Sequence, residues 1–210
     1  MKPILFNTGM TRAILEGRKT VTRRVMKPQP VGNSLIKMPD HSCYPGYWAE
    51  VGSERVIKPL YQPGDVLWVR ETWTRSMAGT FMYRADETAI VCDRWRPSIH
   101  MPREAARIFL RVTSVRCERL QEITEEGAKA EGICGFFLGM GETGYSATPD
   151  AKSFYDGPVG AFANLWDSTM PKHLYKFKRY PFYWEDNPWV WVIEFERIGN
   201  EGKKNEDVLF

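Results

Sequence analysis

No stretch of this chain approaches the eighteen or so consecutive apolar residues that a membrane-spanning helix needs. The first ten residues, MKPILFNTGM, contain an apolar run of only three, too short for a secretory leader, so the expectation is a cytoplasmic protein without a membrane partner. Cysteine is scarce. Cys43, Cys92, Cys117 and Cys134 are scattered and form no Cys-x-x-Cys pair, which reads as reduced, mostly buried thiols and not as a disulfide framework. Histidine is scarcer still: His41, His100 and His173 lie in loop-like stretches, with no partner at triad or metal spacing. His41 and Cys43 would supply half a zinc site, but no second close pair exists to complete it. Neither a metal nor another cofactor is expected. A large charge excess is also lacking, since +3 over 210 residues is too little to announce a nucleic-acid binder.

What is present is a hydrophobic content of 43% and an aromatic content of 13%, enough for a sizeable core and against general disorder. The charge is unevenly placed. Residues 1 to 30 carry Lys2, Arg12, Arg18, Lys19, Arg23, Arg24 and Lys27 against Glu16 alone, a local +6 that leaves the remainder at −3. The positive potential is therefore concentrated at one end of the sequence.

The order of elements can be read from punctuation and periodicity. ILF reads as a strand, and Asn7 or Thr8 as the cap of a helix whose apolar face is Met10, Ala13 and Ile14. Gly17 is placed to end that helix in a left-handed conformation. KTVTRRVM reads as extended, with Val21 and Val25 as its apolar residues, and Pro28 and Pro30 end it. Residues 31–62 read as an elaborated loop with one or two hairpin strands such as YWAEVG. VLWV and TFMYRAD read as further strands. The clearest strand is RIFLRVTSVRCERL, with Ile108, Leu110, Val112 and Val115 facing inward and a bend near Thr113-Ser114. Thr124 caps a short helix that Gly132 stops, and residues 133–160 are glycine-rich enough to read as a long loop or lid. GAFANLWDSTM reads as a helix and NPWVWVIEFERI as a closing strand.

Strands outnumber helices, and the crossovers of a doubly wound parallel sheet are missing. The expected class is α+β: a small mixed or antiparallel β-barrel with flanking short helices and long loop insertions. One domain over residues 1–200 is expected, with insertions at about 31–62, 78–104 and 133–185 and a polar tail at 201–210.

GRKTVTRR, GDVLWVRE, RVTSVRCERL and ITEEGAKAEGI, taken in order, resemble the ASCH domain of the PUA-like superfamily. The extended form ending in NPWVWVIEFERI is similar to ASCH proteins of bacteriophages and prophages. The resemblance implies a barrel with a cleft near the Gly-x-Lys motif, suited to RNA or a nucleoside as partner. It also implies an activity, since a small bacterial ASCH enzyme hydrolyses N4-acetylcytidine to cytidine and acetate with a lysine, a threonine and a glutamate. Aligned on GRKTVT and on the helix before Gly132, these fall on Lys19, Thr22 and Glu131, and the family's arginine falls on Arg24. Arg23, Thr20 and Glu71 are further substrate-binding candidates. A non-catalytic RNA-binding module and a ribonuclease are the alternatives that the same family leaves open.

The chemistry fits these residue types. A metal-free amide hydrolysis needs a nucleophile, a group to remove its proton and an acid for the leaving amine. Lysine serves as base when burial and neighbouring cations disfavour its charge, and Arg18, Arg23 and Arg24 are such neighbours in sequence. Glu131 ends its helix at the negative end of the dipole, which disfavours its anion, whereas Lys19 favours it. Spacing sets a condition. In a flat strand Lys19 and Thr22 would project to opposite faces, so the chain must turn after Gly17 and leave Lys19 outside the ladder. The tryptophans Trp68, Trp73, Trp189 and Trp191 could stack a base, although Trp68 and one of the last two read as core.

Overall fold

The computed structural model describes residues 1–32, 34–39, 42, 46–86, 94–139, 141–148, 153–170 and 182–199. His41, Cys43, Cys92, His173 and the tail at 201–210 lie outside them. Among the described residues the chain is α+β, with twelve strands in several sheets and three short α-helices. No helix of these residues is long and apolar enough to cross a membrane.

The main sheet has five strands: β1 (Lys2–Leu5), β2 (Val21–Val25), β6 (Val66–Arg70), β9 (Phe109–Arg119) and β12 (Trp189–Ile198), in the order β1-β6-β9-β12-β2. Only β1 and β6 run parallel; the other neighbours are antiparallel. The sheet forms around the long strands β9 and β12, which pair from Trp189↔Arg119 to Ile198↔Phe109, and β12 is buried on both faces from Trp189 to Ile193. Their register slips once, since Glu194 faces Ser114 but Phe195 faces Val112. Thr113 is the extra residue of a β-bulge, the bend expected there. It lets Leu110 and Val112 on one side of it, and Val115 and Cys117 on the other, pack against the same core.

Three smaller sheets surround this one. The 31–62 segment holds three strands, β3 (Leu35–Lys37), β4 (Trp48–Glu50) and β5 (Val56–Ile57). β7 (Trp73–Arg75) pairs with β8 (Phe81–Tyr83). The expectation of a long loop or lid at 133–160 is corrected in part: β10 (Cys134–Gly139) and β11 (Glu142–Ser146) form an antiparallel hairpin. The glycines there are packing and turn residues. Gly139 and Gly141 adopt positive φ at the turn. A Cβ on Gly144 would stand 2.6 Å from the Cβ of Phe154, so only glycine admits that ring.

One core covers one face of the main sheet, from Ile4, Phe6 and Leu67 to Val112, Trp191 and Ile193, closed by Ile14 of α1 (Thr8–Leu15). A second lies on the opposite face, where Val21, Val190 and Val192 meet α2 (Glu125–Ala130) and Phe162 and Trp166 of α3 (Pro158–Ser168). A third gathers Trp68, Trp73, Met101 and Phe109. All four tryptophans weighed as stacking platforms are buried: Trp68, Trp189 and Trp191 are core as expected for Trp68 and at least one of the other two, and Trp73 joins them, since each is worth more as apolar area inside than on the surface.

The expected barrel is not closed. β1 and β2 are the two edges of the sheet and share no backbone pairing. Arg24 of β2 instead donates from Nη2 to the carbonyl oxygen of Leu5 in β1 at 2.6 Å, so a side chain joins the edges where a ladder would.

Candidate functional site

Asn7 caps α1 by accepting from the Met10 N–H, and Gly17, at φ +78°, turns the chain after it. The Lys19 N–H then donates to the Ala13 carbonyl at 2.9 Å, which folds the segment back on α1. Thr20 is exposed, and its backbone is used on both sides: its N–H reaches the Ala130 carbonyl and its carbonyl accepts from the Phe195 N–H, each at 2.9 Å. The ladder of β2 begins only at Val21. Lys19 therefore lies outside it, as the spacing argument required.

On the other side Thr124 caps α2, accepting from the Gly127 N–H, and Glu131 ends it. Gly132 follows at φ +105°, where a Cβ would stand 3.0 Å from the Cβ of Ala13 and 3.4 Å from that of Lys19. A glycine here serves twice, in backbone conformation and in the close approach of two helix ends. This packing brings Lys19 and Glu131 together.

The Lys19 side chain is fully buried and that of Glu131 is 3% exposed. Lys19 Nζ donates to Glu131 Oε2 in a short bond, to the Glu131 carbonyl at 3.0 Å and to the Val21 carbonyl at 2.8 Å. All three protons of the ammonium are thus in use. Glu131 Oε1 accepts from Arg23 Nη1 at 3.2 Å, and Arg23 Nε donates to Glu118 Oε1 at 2.8 Å. The four buried or nearly buried groups balance, two cations against two anions. Burial is the main influence on Lys19 and lowers its pKa; Glu131 pulls it back up, and Arg24 and Arg23 add smaller downward effects.

Successive residues of β2 face opposite sides. Arg23 lies over the Phe162 ring of α3 and Arg24 over the Phe6 ring, with centroid distances of 5.7 and 5.2 Å. Lys19 Nζ also approaches the Phe6 ring, at 5.7 Å. Thr22 is 2% exposed, and its hydroxyl makes no hydrogen bond to Lys19, Glu131 or any other group among the described residues.

Thr22 lines a cleft of about 1430 Å³, together with Arg23, Arg24, Lys27, Glu131 and the apolar residues Phe6, Met10, Phe162 and Leu165. A second cavity of about 440 Å³ adjoins it, lined by Asn7, Thr8, Arg12, Arg84, Gly132 and Thr148. Glu131 belongs to both. The larger cleft exceeds the roughly 300–1,000 Å³ that encloses a drug-sized molecule. Among the described residues no group of three or more metal-ligating side chains converges.

Glu71 does not join this arrangement. Both its oxygens are held by Arg107, Oε1 from Nε at 2.8 Å and Oε2 from Nη2 at 3.0 Å, while Arg107 Nη1 also binds Asp86 at 2.7 Å. It lines neither cavity. Its place is set by strand β6, which carries it past Arg70 into the third core's margin.

Sequence reasoning missed Glu118, Phe6 and Phe162. Glu118 lies opposite Val190 in β12, whose other neighbour is Val25 of β2; across one strand and two residues along, it is a diagonal neighbour of Arg23. That relation depends on sheet order, which a single sequence does not carry. Gly127 was a weak signal: glycine within a helix costs about 1 kcal/mol relative to alanine, and here a Cβ would stand 3.1 Å from Arg23 Nη2.

No family model matches the chain, and no curated protein matches it. A solved structure, titled as the crystal structure of protein EF3133 from Enterococcus faecalis V583 with family model DUF984, is similar to it with a TM-score of 0.43. The two are 10% identical, over 94% of this chain and 81% of the other.

Proposed function

We propose that the chain recognises a nucleoside or an RNA base and hydrolyses an N4-acyl amide of the N4-acetylcytidine type. One observation carries the reading: Thr22, whose hydroxyl makes no hydrogen bond among the described residues, lines the same cleft as Glu131 of the buried Lys19–Glu131 pair.

In this mechanism Lys19 as free amine takes the Thr22 proton while Thr22 Oγ1 forms a bond to the acyl carbon. Lys19 reaches the hydroxyl by exchanging its bond to the carbonyl of Val21, the residue next to Thr22 in the chain. The carbonyl π electrons move to oxygen, and the guanidinium of Arg24, in the same cleft, balances the oxyanion. As the tetrahedral species collapses, the C–N bond breaks and the N4 amine takes a proton from the Glu131 carboxyl. An acyl-threonine remains. Water then gives a proton to the Glu131 carboxylate and attacks the acyl carbon; the carboxylic acid departs, and Lys19 returns the Thr22 proton. The half-buried Met10 and Leu165 of the cleft supply apolar contact for the base.

The saturated ammonium of Lys19 favours a second reading, a non-catalytic RNA-binding module in which the pair is structural and Arg24 and Lys27 meet phosphates. Acetate release from N4-acetylcytidine, free and within RNA, separates the two. Under the first reading Thr22→Ala lowers turnover at least about 100-fold without changing thermal stability by more than about 1 kcal/mol. No acetate from the unaltered protein on either substrate overturns it. Under the second reading Lys27→Ala weakens RNA binding and reduces its salt slope by about one.

A further inference from the structure

The Lys19–Glu131 pair can exist in two forms of equal net charge. One is ammonium with carboxylate; the other is amine with carboxylic acid, reached when one proton crosses the bond from Nζ to Oε2. The reaction proposed above starts from the second form, so what controls the proton's place controls the site. The groups facing the pair come from several elements. Arg18, before β2, donates to the Gly132 carbonyl at 2.7 Å; Arg24 lies beyond Phe6; Arg12 of α1 and Arg84 line the smaller cavity beside Glu131. Among these cations Arg23 touches the Glu131 carboxylate itself, at Oε1.

Arg23 is built into this position. Its side chain is 2% exposed, α2 omits a side chain at Gly127 where a Cβ would crowd Nη2, and α3 places the Phe162 ring beneath the guanidinium. It is also shared. Nε and Nη2 both approach Glu118 Oε1, at 2.8 and 2.7 Å, closer than the 3.2 Å from Nη1 to Glu131. Glu118 is in turn 3.5 Å from Arg116, whose side chain is 43% exposed. A line of alternating charges thus runs from the buried pair to the surface.

We propose that Arg23 is a positioning residue that fixes where the proton of the Lys19–Glu131 pair resides, and that Glu118 sets how strongly it does so. A guanidinium on Oε1 favours the carboxylate and holds the pair in its ionic form; Glu118, drawing the same guanidinium away, weakens that hold. This rests on the deacylase reading for its catalytic meaning, but the charge relation stands by itself.

The test is the pH titration of the Lys19 side chain by carbon and nitrogen NMR, in the unaltered protein and in Arg23→Met, Arg23→Lys and Glu118→Gln. Loss of a nearby cation favours bound protons, so Arg23→Met moves the pair's apparent midpoints up by about 1 unit or more. Loss of the more distant anion does the reverse, and Glu118→Gln moves them down by about 0.5 unit. Arg23→Lys restores the original values. The limbs of the kcat/KM profile for N4-acetylcytidine move in the same directions. Midpoints that stay put, or move the same way in Arg23→Met and Glu118→Gln, overturn the proposal. If Arg23→Met does not fold, the downward shift in Glu118→Gln and the return in Arg23→Lys decide it. Absence of any acetate release removes the deacylase reading alone, because the titration needs no substrate.

Discussion

Lys19 and Glu131 are 112 residues apart in sequence, and the ammonium of the first holds the second twice, through its carboxylate and through its backbone carbonyl. The same contact joins the turn after α1 to the end of α2. It ties two distant parts of the fold through a buried charge pair, so its removal is legible in stability.

Glu131 answers to two cations and Lys19 to one carboxylate, and this makes their substitutions unequal. Glu131→Gln leaves Lys19 without a carboxylate and Arg23 with Glu118 alone, and costs about 3–5 kcal/mol. Lys19→Met keeps the apolar stem and leaves Glu131 its bond to Arg23, and costs about half as much. Urea unfolding at neutral pH measures both; a larger loss for Lys19→Met contradicts the assignment.

Gly132 and Gly17 both have positive φ, at +105° and +78°, but only Gly132 is crowded. Gly17→Ala meets no atom within 4 Å and costs backbone strain alone, about 1 kcal/mol. Gly132→Ala adds a clash with Ala13 and Lys19 and costs about 2–3 kcal/mol. Thermal unfolding compares them, and under the deacylase reading acetate release from N4-acetylcytidine falls in the second far more than in the first.

Burial is the main influence on the Glu71 carboxyl and holds it above its usual range, with Arg107 pulling it back. Arg107→Ala removes the opposing cation and destabilises the fold by about 3 kcal/mol at neutral pH. The folded chain then keeps the Glu71 proton to higher pH than the unfolded chain, whose value is near 4.5. Stability from this group is present below that value and is lost as pH rises through the folded one. The deficit of Arg107→Ala accordingly shrinks on going from pH 7 to pH 5. A deficit that grows instead would sink this account.

Burial pushes the Cys117 thiol up to about 12, so almost no thiolate forms at pH 8. Iodoacetamide labels Cys117 slowly in the folded protein and rapidly in urea, as peptide mass spectrometry reports. Equal rates in both conditions would contradict its environment.

Much of the fold was legible where pattern and punctuation agreed. The Asn7 cap, the Gly17 turn, the Thr113 bulge and the Thr124–Gly132 helix are each local decisions, made by residues within a few positions of one another. The hairpin of β10 and β11 was not legible, because its glycines admit a neighbouring ring and turn the chain as well as loosening it. Barrel closure failed for another reason: it depends on how two distant edges meet. In the site, the turn at Gly17 leaves Lys19 outside the ladder of β2, as the spacing required, and Lys19 meets Glu131, whereas no hydrogen bond joins it to Thr22. Glu118 and the diversion of Glu71 to Arg107 depend on sheet order, which periodicity does not encode.

The bond from Arg24 to the Leu5 carbonyl has a mechanical meaning. A ladder between β1 and β2 would make the gap between them rigid, since opening it would break many bonds at once. A single guanidinium makes it a latch, whose release costs one charge-assisted hydrogen bond, about 1.5–3 kcal/mol. Arg24 also faces the large cleft, so an oxygen-rich ligand there competes for the same donor. A ligand oxygen that took this donor would free the two edges, and the width of the cleft would then follow its occupant.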